Sequence, residues 1–191
     1  MTDVPRRPAA AELVTFYPNR GAVPGPLWRS LLDGAADRID VLVFAGLFLP
    51  DGYPEVAKLL AAKAEQGVKI RLALGDPDSD AVRRRGEEER IGEGMAARVR
   101  LGLLYLQDAI SAPRVELRFH ATALYNSIYR DDDMLVNAHV YGAPAAHSPV
   151  LHLRRLPGGR LFDHYQASFE RVWQQASADS VAGVLPQKER R

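Results

Sequence analysis

The polar and apolar positions change rhythm twice along the chain, and the changes divide it into three parts. "ELVTFYP" reads as a short strand closed by Pro18, followed by "GPLWRSLLDGAAD", where Leu27, Leu31 and Leu32 recur at helical spacing behind Pro26. "RIDVLVFAGLFLP" is then apolar on both faces from Val41 to Phe44, the pattern of a central strand covered by helices on both sides. "YPEVAKLLAAKAEQG" predicts a second helix stopped at Gly67, and "VKIRLALGDPDSD" a third strand that ends in a turn beginning at Gly75. The order β-α-β-α-β implies a parallel sheet with crossover helices.

The second part, "DAVRRRGEEERIGEGMAARVRLGLLYLQDAIS", predicts a helix from about Asp80, a break near Gly92–Gly94, and a firmer helix to about Ile110. Arg83, Arg84 and Arg85 stand four residues before Glu87, Glu88 and Glu89, which predicts a solvated face laced by ion pairs. After Pro113 strands follow one another without helices: "VELRFHAT", "YNSIYRD", "MLVNAHVYG" and "VLHLRRL", with "RDDD" as a hairpin turn. The chain then enters "RLFDHYQASFERVWQQAS", an amphipathic helix with Leu161, Phe162, Tyr165, Phe169, Val172 and Trp173 on one stripe. The resulting division is a lead-in over residues 1–11, an α/β domain with a mixed central sheet over 12–176, and a tail over 177–191.

Composition changes this picture little. Of 191 residues, 47% are hydrophobic and 26% charged, which suits a globular domain with a core of its own. A formal net charge of +1 gives no electrostatic case for nucleic-acid binding. The absence of cysteine excludes disulfides, thiolate metal sites and cysteine nucleophiles. The start lacks the apolar stretch of a secretory signal and no apolar run reaches membrane-spanning length, so the expected location is the cytoplasm.

Period-2 alternation assigns the candidate chemistry to faces. In "VELRFHAT", Val115, Leu117, Phe119 and Ala121 share one face and Arg118, His120 and Thr122 the other. In "MLVNAHVY", Asn137, His139 and Tyr141 oppose Met134, Val136, Ala138 and Val140. On this reading two neighbouring strands each present a histidine near the C-terminal end, where open α/β sheets bind ligands. Tyr125 and Asn126 lie close in sequence, and polar side chains at such positions are costly to bury without partners. "GDPDSD" adds Asp76 and Asp78 at the end of the third strand, although Asp78 or Ser79 also serves as a helix N-cap. "YGAPAAHSP" is a loop able to bring His147 and Ser148 over the pocket. Neither the two histidines nor Asp131–Asp133 has a metal-ligand spacing, and no Gly-rich phosphate loop or dinucleotide fingerprint is present, so no cofactor is expected.

The element order, the histidine-bearing strand after the βαβαβ unit, and the closing "YQASFERVW" helix resemble one half of the phospholipase D superfamily. "VFAGLFLP", "LALGDPDS", "LYNSIYR", "VYGAPAAHSPVLHLRR" and "GGRLFDHYQASFERVW" are similar, over most of residues 12–175, to an uncharacterised phospholipase-D-like domain of bacteria. That domain often lies behind a helix-turn-helix DNA-binding domain in transcriptional regulators. The superfamily motif is histidine, any residue, lysine, four residues, aspartate; laid on from His120 it meets Thr122 and Ser127 where lysine and aspartate stand. The resemblance implies a degenerate ligand-sensing or dimerising domain. It would bind a phosphate-, sugar- or nucleobase-containing molecule through Thr122, Tyr125, Asn126, Asn137, His139, Tyr141, His147, Asp76 and Asp78. It also implies a homodimer and an upstream DNA-binding partner. The alternative is an active phosphodiesterase, nuclease or transferase with His120 as nucleophile, and with His139 or, across a homodimer, the partner subunit's His120 as the acid. Losing the lysine removes the charge that stabilises a phosphoryl transition state, which weighs against that alternative.

Overall fold

A computed structural model describes residues 12–130 and 133–178. The expectations for the lead-in 1–11, for Asp131 and Asp132 of the hairpin turn, and for residues 179–191 lie outside them.

The strands are β1 (Leu13–Tyr17), β2 (Arg38–Val43), β3 (Lys69–Gly75), β4 (Val115–His120), β5 (Asn126–Arg130), β6 (Asp133–Ala138) and β7 (Val150–Arg154). They form one mixed sheet in the order β1-β7-β6-β5-β2-β3-β4. β2, β3 and β4 run parallel, and β5, β6, β7 and β1 continue the sheet antiparallel from the other side of β2. Of the predicted parallel unit, β2 and β3 run parallel, but β1 leaves it to pair antiparallel with β7 at the far edge and β4 takes the third place, because both edges of β2 are taken, by β3 and β5. The later strands without helices are present. β2 is buried on both faces from Ile39 onward, as its unbroken apolar run requires. The strand ends at Val43, however, and the apolar "FLPDG" after it folds as a helical turn, α2 (Phe48–Gly52), rather than prolonging the sheet.

The helices are α1 (Gly25–Asp33), α3 (Val56–Glu65), α4 (Asp80–Glu88), α5 (Gly94–Tyr105), α6 (Gln107–Ile110) and α7 (Leu161–Gln175). The predicted break at Gly92–Gly94 separates α4 from α5. Trp28, Leu31, Leu60, Val82, Val99 and Leu103 pack one face of the sheet together with Val41, Leu72 and Phe119. The other face carries α7, whose Phe162, Phe169, Val172 and Trp173 meet Leu42, Ala73, Ile128, Met134 and Leu153. Among the described residues, no helix is long and apolar enough to cross a membrane.

Under α7 lies a buried charge cluster. Arg71 donates from Nε and Nη2 to Asp40 at 2.7 and 2.8 Å, and to Glu170 of α7 at 2.7 and 2.9 Å. Arg130 pairs with the same Asp40, which is fully buried. The Arg71 guanidinium also lies 4.6 Å from the centroid of the Phe169 ring. Its ion pairs satisfy charges that would otherwise forbid burial, and they tie α7 to the middle of the sheet. At the start of α7 there is no local cap. Glu12 supplies one from the far end of the chain, its carboxylate accepting from the N–H groups of Arg160, Leu161 and Phe162 at 2.8–3.0 Å.

The charged stretch is only partly the solvated face its sequence predicts. Arg83 pairs with Glu87 in the open. Arg85 and Glu89 are instead buried, and Arg85 donates to the carbonyl of Ala143 at 3.0 Å, fastening the "YGAPAAHSP" loop to α4.

Candidate functional site

The strand order forces a correction to the site expected from the sequence. β4 and β6 are not neighbours, because β3, β2 and β5 stand between them. After β4 the chain crosses from the sheet edge to the far side of β2, so His120 and His139 approach only where both strands end. They share one contact, the ring of Phe44 just beyond β2, whose centroid lies 5.7 Å from each imidazole. Period 2 cannot show this, since it orders side chains within a strand and says nothing of which strands adjoin.

His120 is 1% exposed. Its Nε2 donates to the carbonyl of Val43 at 3.0 Å, and its Nδ1 accepts from the backbone N–H of Thr122 at 3.3 Å. That fixes a neutral tautomer, and burial holds its pKa below the ordinary histidine value. The ring reaches the end of β2 past Gly75, its register partner, where a Cβ would meet Val82 at 2.7 Å and the Phe44 carbonyl at 3.1 Å. With both nitrogens engaged by backbone, His120 has no lone pair to offer phosphorus; the nucleophile's position is filled by a packing histidine.

His139 stands differently. It lines a cavity of about 520 Å³ at the C-terminal end of β2, walled by Phe44–Phe48, Ser127, Tyr129, α5 and the loop Pro144–His147. This is where the sheet switches from β3 on one side of β2 to β5 on the other, the place that open α/β sheets use for ligands. The Leu124 carbonyl, 3.1 Å from Nδ1, can only accept, so Nδ1 carries the proton. Nε2 is therefore the bare nitrogen, and it accepts from the Ser127 hydroxyl at 3.0 Å. Burial, reinforced by the positive charges of Arg85 and Arg20, brings the His139 pKa down to about 4. The ring stacks on Phe44, with planes 27° apart.

Charge enters the cavity from elements far apart in sequence. Arg20, in a 3-10 turn over Arg20–Ala22, lies over the Phe48 ring at 4.2 Å. Arg98 of α5 is half exposed and 3.8 Å from Glu89. Glu89 is already matched by Arg85 at 2.7 Å, while Asp51 brings an acid to the wall. Gly102 permits the close fit of α5 against the wall segment, since a Cβ there would stand 2.7 Å from the Ala45 carbonyl.

Of the residues expected to bind a ligand, His139 and His147 line this cavity. Asn137 is fully buried, and its amide nitrogen donates to the carbonyls of Ser148 and Pro149 at 3.1 and 3.2 Å, pinning the base of the loop. Ser148 turns inward, its hydroxyl donating to the Pro144 carbonyl. Tyr125 and Tyr141 point to solvent, at 84% and 85% exposure. Thr122 and Asn126 are half-buried and do not line the cavity. Asp76 accepts from the Asp78 N–H at 3.0 Å, Asp78 pairs with Arg100 on the surface at 2.6 Å, and Ser79 caps α4.

Ser127, read from the sequence only as the replacement of the motif aspartate, and Tyr129, which the sequence reading passed over, lie together on the cavity side of β5, as alternation along "YNSIYRD" requires. Sequence reasoning also passed over Phe44, the last residue of the doubly apolar run. Arg20 and Arg98 had no comparable signal, because a turn and a helix distant in sequence bring them there.

A family model, "Domain of unknown function (DUF5919)", matches residues 9–180. No curated protein matches the chain. Among solved structures, TrmBL2, an archaeal chromatin protein whose structure is described as showing a novel mode of DNA binding, aligns over 92% of this chain with 16% identity and a TM-score of 0.49. The alignment covers 55% of TrmBL2, so this chain spans about half of that protein's length. Nuc from Salmonella typhimurium, a phospholipase D family member, aligns over 85% of this chain and 93% of its own, with 15% identity and a TM-score of 0.48.

Proposed function

The chain belongs to the DUF5919 family, a domain of unknown function, and we propose that its role is to bind a small anionic molecule in the cavity at the end of β2. The observation that carries this reading is the cavity itself: about 520 Å³ of space at the switch point of the sheet, with an aromatic wall and two arginines at its sides. Phe44, Phe48 and Tyr129 offer flat apolar surface to a planar group, and Arg20 and Arg98 offer charge to a phosphate or carboxylate. Arg85 answers Glu89, which also stands 3.8 Å from Arg98, and Asp51 is the second acid of the lining. Neutral donors and acceptors come from Ser127 and His139.

Phosphodiester cleavage through His120 has less support, since that ring is sealed from the cavity and bonded at both nitrogens. Binding without that chemistry is the reading the cavity favours. A thermal-shift screen of nucleotides and phosphorylated sugars tests it, because a ligand that binds only the folded state raises its stability. The expected result is a concentration-dependent rise in Tm with at least one such compound. In the Arg98→Ala variant the affinity is expected to fall by roughly 10- to 100-fold, the cost of one charge-assisted hydrogen bond. A screen without a shift, or an affinity untouched by Arg98→Ala and Arg20→Ala, overturns the reading.

A further inference from the structure

We propose that Ser127 is a nucleophile, with His139 as its base, for acyl transfer from a small carboxylic ester that carries an anionic group. The proposal rests on the cavity binding an anionic molecule and adds a reaction to it.

The geometry is that of a hydroxyl held for deprotonation. Three groups lie in sequence: the Leu124 carbonyl 3.1 Å from Nδ1 of His139, and Nε2 of the same ring 3.0 Å from the Ser127 hydroxyl. The carbonyl fixes the tautomer and aims the bare nitrogen at the serine, as a base oriented by a third group should be. Both side chains line the cavity, so a bound molecule meets the hydroxyl from the open side. The backbone under them is rigid: Ser127 sits opposite Asn137 in the β5–β6 ladder, Ile128 opposite Leu42 of β2, and the His139 N–H extends the ladder to the Tyr125 carbonyl at 2.8 Å. Two residues along the same face, Tyr129 brings a phenol to the cavity, where it interacts with the side chains of both Ser127 and Arg20. These are the donors available to an oxyanion beside Ser127.

A carbonyl in the orienting position carries no full negative charge, so the imidazolium that forms during attack lacks the support a carboxylate gives. The substrate can supply it. An anion placed against Arg20 and Arg98 opposes the positive field around His139, so the base is strengthened when the site is filled and is weak when it is empty. Among the described residues no lysine lines the cavity and His120 is sealed, which disfavours transfer through a phosphorylated histidine and leaves a trigonal carbonyl as the electrophile for Ser127.

The chemistry balances with water as the only co-reactant. Nε2 takes the Ser127 proton as Oγ bonds to the carbonyl carbon. The tetrahedral adduct collapses, the bond to the alcohol oxygen breaks, and Nε2 returns the proton to that oxygen. Water then attacks the acyl-serine by the same proton transfers, releasing the acid and restoring the hydroxyl.

A fluorophosphonate probe, which labels activated serines with loss of fluoride, tests the assignment on the full chain. Peptide mapping is expected to place the adduct on Ser127, with labelling abolished in Ser127→Ala, slowed at least tenfold in His139→Gln, and lost on unfolding in urea. The wild-type rate is expected to persist well below pH 6, since the base stays unprotonated there. No adduct on the folded wild type, or an adduct at another serine, overturns the proposal without reference to any variant's folding. Nucleotide-induced thermal shifts without labelling would overturn the nucleophile and keep the binding reading. Labelling at Ser127 without any such shift would keep the nucleophile and remove the anionic ligand.

Discussion

His120 and Val43 are joined across the end of the sheet by a hydrogen bond from Nε2 to the carbonyl oxygen, 3.0 Å long, although they belong to strands that do not touch. The bond closes the C-terminal end of the parallel unit over Gly75. His120→Ala is therefore expected to empty a packed site and leave the Val43 carbonyl and the Thr122 N–H without their partner. The loss is about 2–4 kcal/mol of unfolding free energy, read from the urea midpoint at unchanged m-value. A variant as stable as wild type would show that the ring is dispensable to the fold.

The two buried histidines predict a pH dependence with a definite sign. Folding depresses the pKa of each, that of His139 to about 4, so the unfolded chain binds more protons below its own value of about 6.5. The part of the stability that depends on these histidines is complete above about pH 6.5 and falls as pH drops from there toward 4, below which the carboxylates with lowered pKa values take over the loss. For His139 the loss is on the order of 3 kcal/mol. Urea titrations at stepped pH check it, and His139→Gln is expected to flatten the slope over that interval.

Arg71 and Asp40 give a contrast between buried and exposed ion pairs. Arg71→Ala leaves the fully buried Asp40 with Arg130 alone and Glu170 of α7 with its longer pair to Arg38 at 3.9 Å, for an expected loss of about 3–5 kcal/mol. Arg29→Ala, which removes a solvent-exposed pair with Asp33, is expected to stay within the error of the same measurement. Equal effects of the two substitutions would contradict the role assigned to the cluster.

Glu12→Ala removes the carboxylate that caps α7 and is expected to destabilise the start of that helix. The three hydrogen bonds from Leu161, Phe162 and Arg160 hold the Glu12 carboxyl below the usual carboxylate range, so acid should loosen the same cap. Hydrogen exchange is the direct readout: the amides of residues 160–162 should lose protection, while those of β2 and β3 keep theirs.

Gly102→Ala is expected to push α5 away from the cavity wall, because the added Cβ would meet the Ala45 carbonyl at 2.7 Å. An overpacking cost of about 1–3 kcal/mol should accompany weaker binding of any cavity ligand, with the thermal-shift response reduced together with Tm. Undiminished binding would place the ligand away from α5.

Local order was legible in the residues. The apolar run of β2, the alternation of β4 to β6, the helical stripe of α7 and the break before α5 are periodic signals, and each appears where its period places it. The loop "YGAPAAHSP" lines the cavity through Pro144–His147. What the pattern lacked was adjacency. Nothing local in "VELRFHAT" or "MLVNAHVY" records that three strands separate them, so His120 and His139 read as a pair although each has its own partners. Arg85 was misread for a related reason. Its i,i+4 relation to Glu89 is identical to that of Arg83 with Glu87, and only the arrival of the loop at Ala143 distinguishes the buried pair from the open one.

The pairing of β1 with β7 has a consequence for the order in which the molecule can be made. Leu13 is matched to Leu153, and Glu12 to the first turn of α7, so the first strand of this sheet to leave the ribosome has no partner in it until almost the whole domain has followed. The parallel unit of β2 and β3 can assemble in the meantime, but the edge bearing Leu13, Val14 and Phe16 must wait. During synthesis that segment is an apolar strand still waiting for its partner in the sheet, and so exposed to pairing with other chains.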